Sequence, residues 1–201
     1  MPHVESPLRV SATRCGLLIV DLQEKLVPVI PAGESVVKQT RRLIEAAERL
    51  NVPFAATVQY PKGLGPLVPA IGELLETAEE KLAFSSAVCR NAIDRWANQA
   101  RDQIVVCGIE THVCVLQSVL DLIAEGFYVY VVADAVASRS ELDERIAIER
   151  MTMAGATMIT AESVLFEWLG SAAHSEFKAI SRMIKDYEGR DSFNKSSKLS
   201  L

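Results

Sequence analysis

Cys114 is the side chain with the clearest chemical potential, because it stands at the predicted start of a helix. A β-branched run at 104–106 predicts a buried strand that ends at Gly108. Thr111 is a suitable N-cap for the helix that follows, and Gly126 suits its C-terminal stop. The first N–H groups of a helix favour a thiolate and can receive a developing oxyanion. The alternative interpretation of Cys114 is a small apolar core residue.

Asp21 and Lys81 are two further candidates, and each also has an ordinary structural explanation. Asp21 closes a continuous apolar run at 15–20, a place where an acid often only caps a helix. Lys81 lies in the mixed segment 80–86, and an isolated lysine is usually a solvated surface residue. Whether Asp21 and Lys81 have a functional role depends on where the fold places them.

The elements that must position these side chains alternate between strands and helices. The predicted strands are 15–20, 53–59, 104–106, 127–132 and 156–160, and 81–88 is a third strand or an extended segment. The predicted helices are 35–50, 71–78, 90–99, 113–125, 140–154, 161–169 and 174–187, with Ser140 as an N-cap. Between them, residues 60–69 contain three prolines and two glycines and predict a stiff, irregular loop.

This order predicts an α/β fold, a doubly wound three-layer sandwich around a mostly parallel sheet of about six strands. Residues 1–188 form one predicted domain, 1–13 an extended arm within it, and 189–201 a polar, flexible tail. Ligands of such sheets bind beyond the carboxyl ends of the strands. Asp21, Cys114, Asp134 and the loop after residue 59 should therefore share one edge.

The composition excludes several classes of function. The formal charge is −5 without a block of Lys and Arg, which argues against nucleic-acid binding. No apolar run approaches the roughly 18 residues of a membrane span, and the N-terminus lacks the apolar core of a signal peptide. The four cysteines have neither metal-ligand nor disulfide-framework spacing, which favours a reducing, cytoplasmic location.

Several segments together resemble a known family, the isochorismatase-like cysteine hydrolases, which include nicotinamidases, N-carbamoylsarcosine amidases and ureidoacrylate amidohydrolases. The segments are Leu17–Gln23, Lys81–Ser85, Gly108–Val115, Val131–Ala135 and Glu162–Phe166, and they span nearly the whole chain. The pattern Gly-x-x-Thr-x-x-Cys-Val within the third is fairly specific. The loop at 59–69 resembles the subgroup called isochorismatase domain-containing proteins, some of which have been labelled ribonucleases.

The resemblance implies a catalytic triad of Asp21, Lys81 and Cys114. In such enzymes the cysteine attacks a carbonyl carbon and forms a thioester, while the aspartate acts as general base and then general acid. The lysine holds the aspartate and biases both partners toward their ionised forms. The family also implies a cis peptide bond between Ile109 and Glu110, and an oxyanion hole formed by Ile109, Glu110 and Cys114.

Departures from the family narrow the expected chemistry. Nicotinamidase-type members carry an Asp-x-His…His metal set near the second strand, whereas the three histidines here are His3, His112 and His174. We therefore expect no metal and no other cofactor, and nicotinamide is disfavoured as a substrate. Isochorismate-cleaving members lack the nucleophilic cysteine, so Cys114 favours hydrolysis of a C–N bond over cleavage of a vinyl ether.

The predicted function is thus a cysteine hydrolase acting on a small amide or carbamoyl compound. Gln23, Tyr60 and Phe84 are candidate substrate contacts, although the two aromatic residues are as consistent with core or rim packing. The predicted partners are a small-molecule substrate and further copies of the chain, in a dimer or tetramer, but no nucleic acid and no membrane.

Three alternatives stay open at this stage. The first is a catalytically silent protein of the same fold that acts by binding. A phosphatase with Asp21 as nucleophile normally carries a second Asp two residues later, where this chain has Gln23. A ribonuclease finds no support in the acidic composition, whose pI is about 5.3.

Overall fold

The computed structural model describes residues 4–196, which form one six-stranded sheet flanked by helices. The strands are β1 (Cys15–Val20), β2 (Phe54–Gln59), β3 (Ala78–Lys81), β4 (Gln103–Ile109), β5 (Tyr128–Ala137) and β6 (Thr157–Ile159). Their order is β3-β2-β1-β4-β5-β6, and every pairing is parallel. The predicted α/β fold is confirmed, and the sheet is wholly rather than mostly parallel.

Helices cover both faces of the sheet. They are α1 (Gly33–Arg49), α2 (Pro61–Leu64), α3 (Pro69–Gly72), α4 (Arg90–Asn98), α5 (Leu116–Ala124), α6 (Glu141–Met153), α7 (Ala161–Leu169) and α8 (Phe177–Ser196). The cores on the two faces are separate: α1, α7 and α8 contribute to one, and α4, α5 and α6 to the other. None of the helices between residues 4 and 196 combines the length and apolar character needed to cross a bilayer.

The central strand β1 shows why its sequence is apolar without alternation. Leu17 and Ile19 face the core with α1, whereas Leu18 and Val20 face the core with α4. Successive side chains of a strand point to opposite faces, so a strand covered on both sides must be apolar throughout. The continuous apolar run at 15–20 therefore correctly predicts a strand that is buried on both faces.

The sheet has its topological switch point between β1 and β4. Strands β2 and β3 extend from β1 on one side, and β5 and β6 extend from β4 on the other. At the carboxyl end of this pair Val20 lies opposite Gly108, whose φ is 120°. A Cβ on Gly108 would lie 2.1 Å from the Val20 carbonyl oxygen, so the two backbones approach too closely for any other residue.

Three predicted elements differ in the structure. β3 ends at Lys81, where the predicted 81–88 segment begins, because its Ala-Glu-Glu-Lys sequence forms a charged edge strand through pairing with β2. The predicted helix 71–78 is reduced to the single turn α3. The 60–69 loop, predicted to be irregular, contains the helical turn α2, whose first position is a proline.

Strand β5 also runs further than predicted and relocates Asp134. The register between β4 and β5 shifts after Val106, so that β5 accommodates extra residues and continues to Ala137. Asp134 therefore lies within the strand rather than at its end, and its Oδ1 accepts a hydrogen bond of 2.8 Å from the Ala161 N–H at the start of α7. It caps a helix and does not join the other candidates.

The two ends of the chain are predicted to form an extended arm and a polar tail. The last helix continues to residue 196, beyond its predicted end near 187. Residues 1–3 of the predicted arm and 197–201 of the predicted tail lie outside the described residues. The domain boundary at 188 and the flexibility of the tail stay predictions.

Candidate active site

Asp21 and Cys114 lie beyond the carboxyl ends of β1 and β4, and Lys81 is the last residue of β3, so all three are at the edge where the fold predicts a ligand site. All three are buried, with exposed fractions of 0 %, 4 % and 6 %. Asp21 has a φ of 51°, in the left-handed region that aspartate and asparagine tolerate better than most residues.

Lys81 holds Asp21 through a short ion pair. Its Nζ donates to Asp21 Oδ2 at 2.6 Å, to Gln59 Oε1 at 2.9 Å and to the Phe84 carbonyl at 2.9 Å. An ammonium group has three N–H donors, so these acceptors satisfy it fully without solvent. The lysine thus reaches from β3 across the end of β2 to compensate the carboxylate that follows β1.

Burial raises the pKa of the Cys114 thiol to about 12. The negative charge of Asp21 also contributes to the raised pKa, whereas the positive charge of Lys81 lowers it. The sequence had predicted a thiolate favoured by the helix start and by Lys81. Lys81 lowers the pKa as the resemblance implies, but the expected net preference for the thiolate is wrong, because the cost of desolvating a thiolate exceeds the stabilisation from Lys81 and the resting Cys114 is a neutral thiol at pH 7.

The turn that carries Cys114 is not a regular helix start. Residues Thr111–Val115 form a π-helical turn, and α5 begins only at Leu116. The N-cap position is Glu110, so the predicted capping role of Thr111 is wrong. The Thr111 hydroxyl is buried and makes no hydrogen bond within the described residues. Such π-turns occur frequently at functional sites.

The residues predicted to form the oxyanion hole surround this turn. The peptide bond between Ile109 and Glu110 is cis. The Glu110 carboxylate accepts hydrogen bonds from the backbone N–H and the Nε of Arg139, at 3.1 and 2.9 Å. Because its side chain is engaged there, a contribution of Glu110 to an oxyanion hole is restricted to its backbone. His112 is fixed at the same place, with its Nδ1 2.9 Å from Ser138 Oγ.

Gln23 is buried beneath the 60–69 loop. Its Nε2 donates to the carbonyls of Gln59 and Gly65 at 3.0 and 2.7 Å, and its Oε1 accepts from the Gln59 N–H at 2.8 Å. Both amide donors are therefore occupied by backbone. The geometry gives Gln23 a role in holding the loop, and its predicted contact with substrate stays a prediction.

Tyr60 and Phe84 flank the site as half-exposed aromatic residues, with exposed fractions of 51 % and 52 %. The backbone of each is tied to Lys81: Tyr60 N–H donates to the Lys81 carbonyl at 3.0 Å, and the Phe84 carbonyl accepts from Lys81 Nζ. The Tyr60 ring packs over Gly63, where a Cβ would lie 2.4 Å from ring atom Cε1. Their role as substrate contacts stays a prediction.

Sequence reasoning missed four polar residues that surround the triad. Thr57 donates to Asp21 Oδ1 at 2.8 Å, Gln59 accepts from Lys81, and Ser86 and Ser118 continue the network toward Cys114. Thr57 and Gln59 are polar residues two positions apart in an otherwise apolar strand, so they share one face of β2. The interruption of the apolar pattern by these two polar residues is the sequence signal that could have identified them.

The described residues contain no group of three His, Cys, Asp or Glu side chains arranged to hold a metal ion. At the end of β2, the amide oxygen of Gln59 accepts a hydrogen bond of 2.9 Å from Lys81 Nζ. The position therefore contributes to the ion pair.

Comparisons with known proteins agree with this fold. A model of the isochorismatase domain matches residues 15–163. Mouse isochorismatase domain-containing protein 2A is 37 % identical over 171 residues, which cover 85 % of this chain and 82 % of that protein. The structure of MAR1 ribonuclease from Caenorhabditis elegans is 37 % identical, with a TM-score of 0.82 over 88 % of this chain and 92 % of that one. The Escherichia coli YcaC product, described as an octameric hydrolase of unknown specificity, shares the fold at 24 % identity and a TM-score of 0.80, over 96 % of this chain and 99 % of that one.

Proposed function

The chain belongs to the isochorismatase family, and we propose that it is a cysteine hydrolase that cleaves the C–N bond of a small amide or carbamoyl compound. The observation that carries the proposal is the meeting of Cys114, Asp21 and Lys81 in one buried site. A nucleophile, a base within reach of its proton and a cation that orients the base are the parts that covalent hydrolysis needs.

In the first half of the reaction, the Cys114 sulfur attacks the substrate carbonyl carbon. Asp21 takes the thiol proton as the new S–C bond forms, since the resting thiol is neutral. Backbone N–H groups of the turn at 109–114 stabilise the resulting oxyanion. The tetrahedral intermediate then collapses: the C–N bond breaks, and the leaving nitrogen takes the proton from Asp21. An acyl thioester on Cys114 remains.

In the second half, water hydrolyses the thioester. Asp21 accepts a proton from the attacking water, the C–S bond breaks, and the same proton returns to the Cys114 sulfur. Lys81 keeps its proton throughout and holds Asp21 in place through the 2.6 Å contact. The cycle needs neither a metal nor an organic cofactor, and the enzyme ends in its starting protonation state.

The test is hydrolysis of a panel of small amides, ureides and carbamoyl compounds by the wild type and two variants. Cys114→Ala removes the nucleophile, and Cys107→Ala is the matched control, because Cys107 is a buried thiol in β4 that faces the other core. We expect turnover by wild type and Cys107→Ala, and a loss of about 10³-fold or more in Cys114→Ala. Intact-mass analysis should detect an acyl adduct on Cys114. Turnover that persists in Cys114→Ala would refute the proposal.

A catalytically silent protein is the alternative from a different class. It would show no turnover with any panel member and no acyl adduct on Cys114. Chemical shift or calorimetric titration with the same compounds would then detect binding without reaction.

A ribonuclease is the alternative suggested by the description of the C. elegans structure. The formal charge of −5 argues against it, because affinity for RNA depends on Lys and Arg contacts to phosphates. The panel should therefore include single-stranded RNA. Cleavage of RNA that is lost in Cys114→Ala would replace the amide proposal.

Two further properties belong to this proposal. A reducing, cytoplasmic location is supported by the four cysteines, all free and buried. A dimer or tetramer is supported by Leu142, Ile146 and Met153 on α6, which are 59 %, 42 % and 87 % exposed. Sedimentation of the wild type and of a variant with charged residues at these positions tests the assembly, which should dissociate in the variant.

A further inference from the structure

We propose that Thr57, Ser86 and Ser118 form a brace that positions the Asp21 carboxylate against the Cys114 thiol. The inference rests on the proposed function in one respect, namely that Asp21 is the base for Cys114. It adds three positioning residues: Thr57 contacts the Asp21 carboxylate, and Ser86 and Ser118 act only through other groups.

The brace begins at Asp21, whose two carboxylate oxygens have different partners. Oδ2 accepts from Lys81 at 2.6 Å, and Oδ1 accepts from the Thr57 hydroxyl at 2.8 Å. One contact alone leaves a carboxylate free to rotate about it. The second contact fixes its plane, so Thr57 determines which way the oxygens face.

The direction of the next hydrogen bond follows from the first. The Thr57 hydroxyl has one proton, which it gives to Asp21, so it accepts from the Ser86 hydroxyl 3.1 Å away. The Ser86 backbone N–H donates to Ser118 Oγ at 2.7 Å. The Ser118 hydroxyl in turn donates to the Cys114 carbonyl oxygen at 2.6 Å.

These contacts join the base to the backbone that carries the nucleophile. The connection passes through the covalent structure of Ser86, from its hydroxyl to its N–H, so it transmits position and not protons. Thr57, Ser86 and Ser118 are 1 %, 0 % and 0 % exposed, and water does not compete for their hydrogen bonds. Fully satisfied buried networks of this kind are rigid.

Rigidity matters here because the base must lie within hydrogen-bonding reach of the thiol proton. A misplacement of about 1 Å at a reacting group can reduce the rate about 10²-fold. Thr57 lies on β2 and Ser118 on α5, and these contacts connect the two elements next to the triad.

The first experiment measures kcat and KM for the best panel substrate with Thr57→Val, which keeps the side-chain shape and removes the hydroxyl. We expect kcat to fall about 10²-fold with KM within about twofold. Thr57→Ser keeps the hydroxyl and should restore kcat to within about threefold of wild type. Thr40→Val is the control, because Thr40 is a fully buried threonine of α1 outside the site, and it should leave kcat unchanged.

Ser118→Ala tests the other end of the brace. It should also lower kcat while KM is preserved, and thermal unfolding of each variant establishes that the folded protein is measured. An unchanged kcat in both Thr57→Val and Ser118→Ala would overturn the proposal. A raised KM with unchanged kcat would assign these residues to substrate binding instead.

A second experiment needs no substrate and separates the brace from the proposed function. The rate of alkylation of Cys114 by iodoacetamide is measured against pH, with the modified peptide quantified by mass spectrometry. Asp21 raises the pKa of this thiol, so displacing Asp21 should move the alkylation profile to lower pH. Thr57→Val should produce this shift in the wild-type background and none in the Asp21→Asn background.

The two experiments fail differently. If no panel compound is hydrolysed but Thr57→Val shifts the alkylation profile only when Asp21 is present, the proposed function is wrong and the brace stands. If Thr57→Val leaves the profile unchanged, or shifts it equally in both backgrounds, the brace does not act through Asp21 and the inference is wrong.

Discussion

Strand β1 has an ion pair near each of its ends, one with a residue before the neighbouring strand β4 and one with Lys81 of β3, and the two pairs have little in common beyond their charges. At the amino ends, Arg14 and Asp102 precede the strands, and Arg14 Nε donates to Asp102 Oδ1 at 2.9 Å. Their side chains are 35 % and 44 % exposed. At the carboxyl end, Asp21 follows β1 and pairs with Lys81 at 2.6 Å, and both side chains are fully buried.

The difference in burial determines what each pair can do. A solvated pair contributes about 0–1 kcal/mol to stability, because water screens its charges. A dry pair is costly to assemble, and its charges act strongly on nearby groups, as Asp21 and Lys81 do on the Cys114 thiol. The amino-end pair thus helps to hold neighbouring strands together, whereas the carboxyl-end pair places charged groups beside the Cys114 thiol.

Exchange of a single carboxylate at each end gives the largest expected contrast. Asp21→Asn keeps the shape and tolerates the left-handed backbone, but it cannot accept the thiol proton, so we expect turnover to fall about 10³-fold or more. Asp102→Asn should leave kcat/KM within about twofold of wild type. The measurement is kcat/KM on the best panel substrate. Comparable losses in both variants would mean that the two ends are not distinct in function.

Loss of the cation at each end should separate the two pairs in stability. Lys81→Met leaves a buried carboxylate without its counter-ion, and we expect a loss of about 3–5 kcal/mol in the free energy of unfolding. Arg14→Met removes the partner of a half-exposed carboxylate and should cost less than about 1 kcal/mol. Urea denaturation at pH 7 measures both. A small effect of Lys81→Met would show that Asp21 is neutral or solvated in the folded protein.

Two glycines of the same strands provide a third contrast. Gly108→Ala places a methyl group against the Val20 backbone at a φ of 120°, and we expect it to cost about 2–4 kcal/mol. Gly16→Ala, near the amino end of β1, places one 2.5 Å from the Trp96 ring and should cost about 1–3 kcal/mol.

Activity per folded molecule distinguishes these two variants. Val20 immediately precedes Asp21, so a shift of its backbone displaces the base, and folded Gly108→Ala should lose most of its turnover. Folded Gly16→Ala should retain it. Turnover is therefore measured under conditions in which circular dichroism reports the same folded fraction for both. Full activity of folded Gly108→Ala would show that the β1–β4 approach does not position Asp21.

The sequence predicts the elements whose signals are local. The apolar run of β1 and the Ser140 cap of α6 both appear in the structure, the latter with Ser140 Oγ accepting from the Asp143 N–H at 3.3 Å. β3 has no such signal, since it becomes a strand only by pairing with β2. Local patterns cannot report an edge strand that tertiary contact creates.

The residues of the candidate site also differ in whether a local sequence signal identifies them. Family motifs identify Asp21, Lys81 and Cys114, because each belongs to a short recognisable segment. The brace joins residues that are far apart in the chain: Thr57 and Ser86 are 29 positions apart, and Ser86 and Ser118 are 32 positions apart. No local sequence pattern predicts these contacts. The protonation state of Cys114 cannot be predicted from the sequence either, because it depends on how deeply the folded chain buries the thiol.

The smallest expected effect concerns the Cys114 thiol, whose alkylation directly tests the electrostatic effect of the carboxyl-end ion pair on its pKa. With a pKa of about 12, Cys114 is alkylated through a minor thiolate fraction that rises about tenfold per pH unit below that value. Asp21→Asn removes a negative charge that disfavours the thiolate, so the profile should move to lower pH and labelling at pH 8 should accelerate. Asp102→Asn should leave the profile in place. Faster labelling together with lost turnover in Asp21→Asn would show that Asp21 serves as a base and not as an activator of a standing thiolate, whereas slower labelling would reverse that assignment.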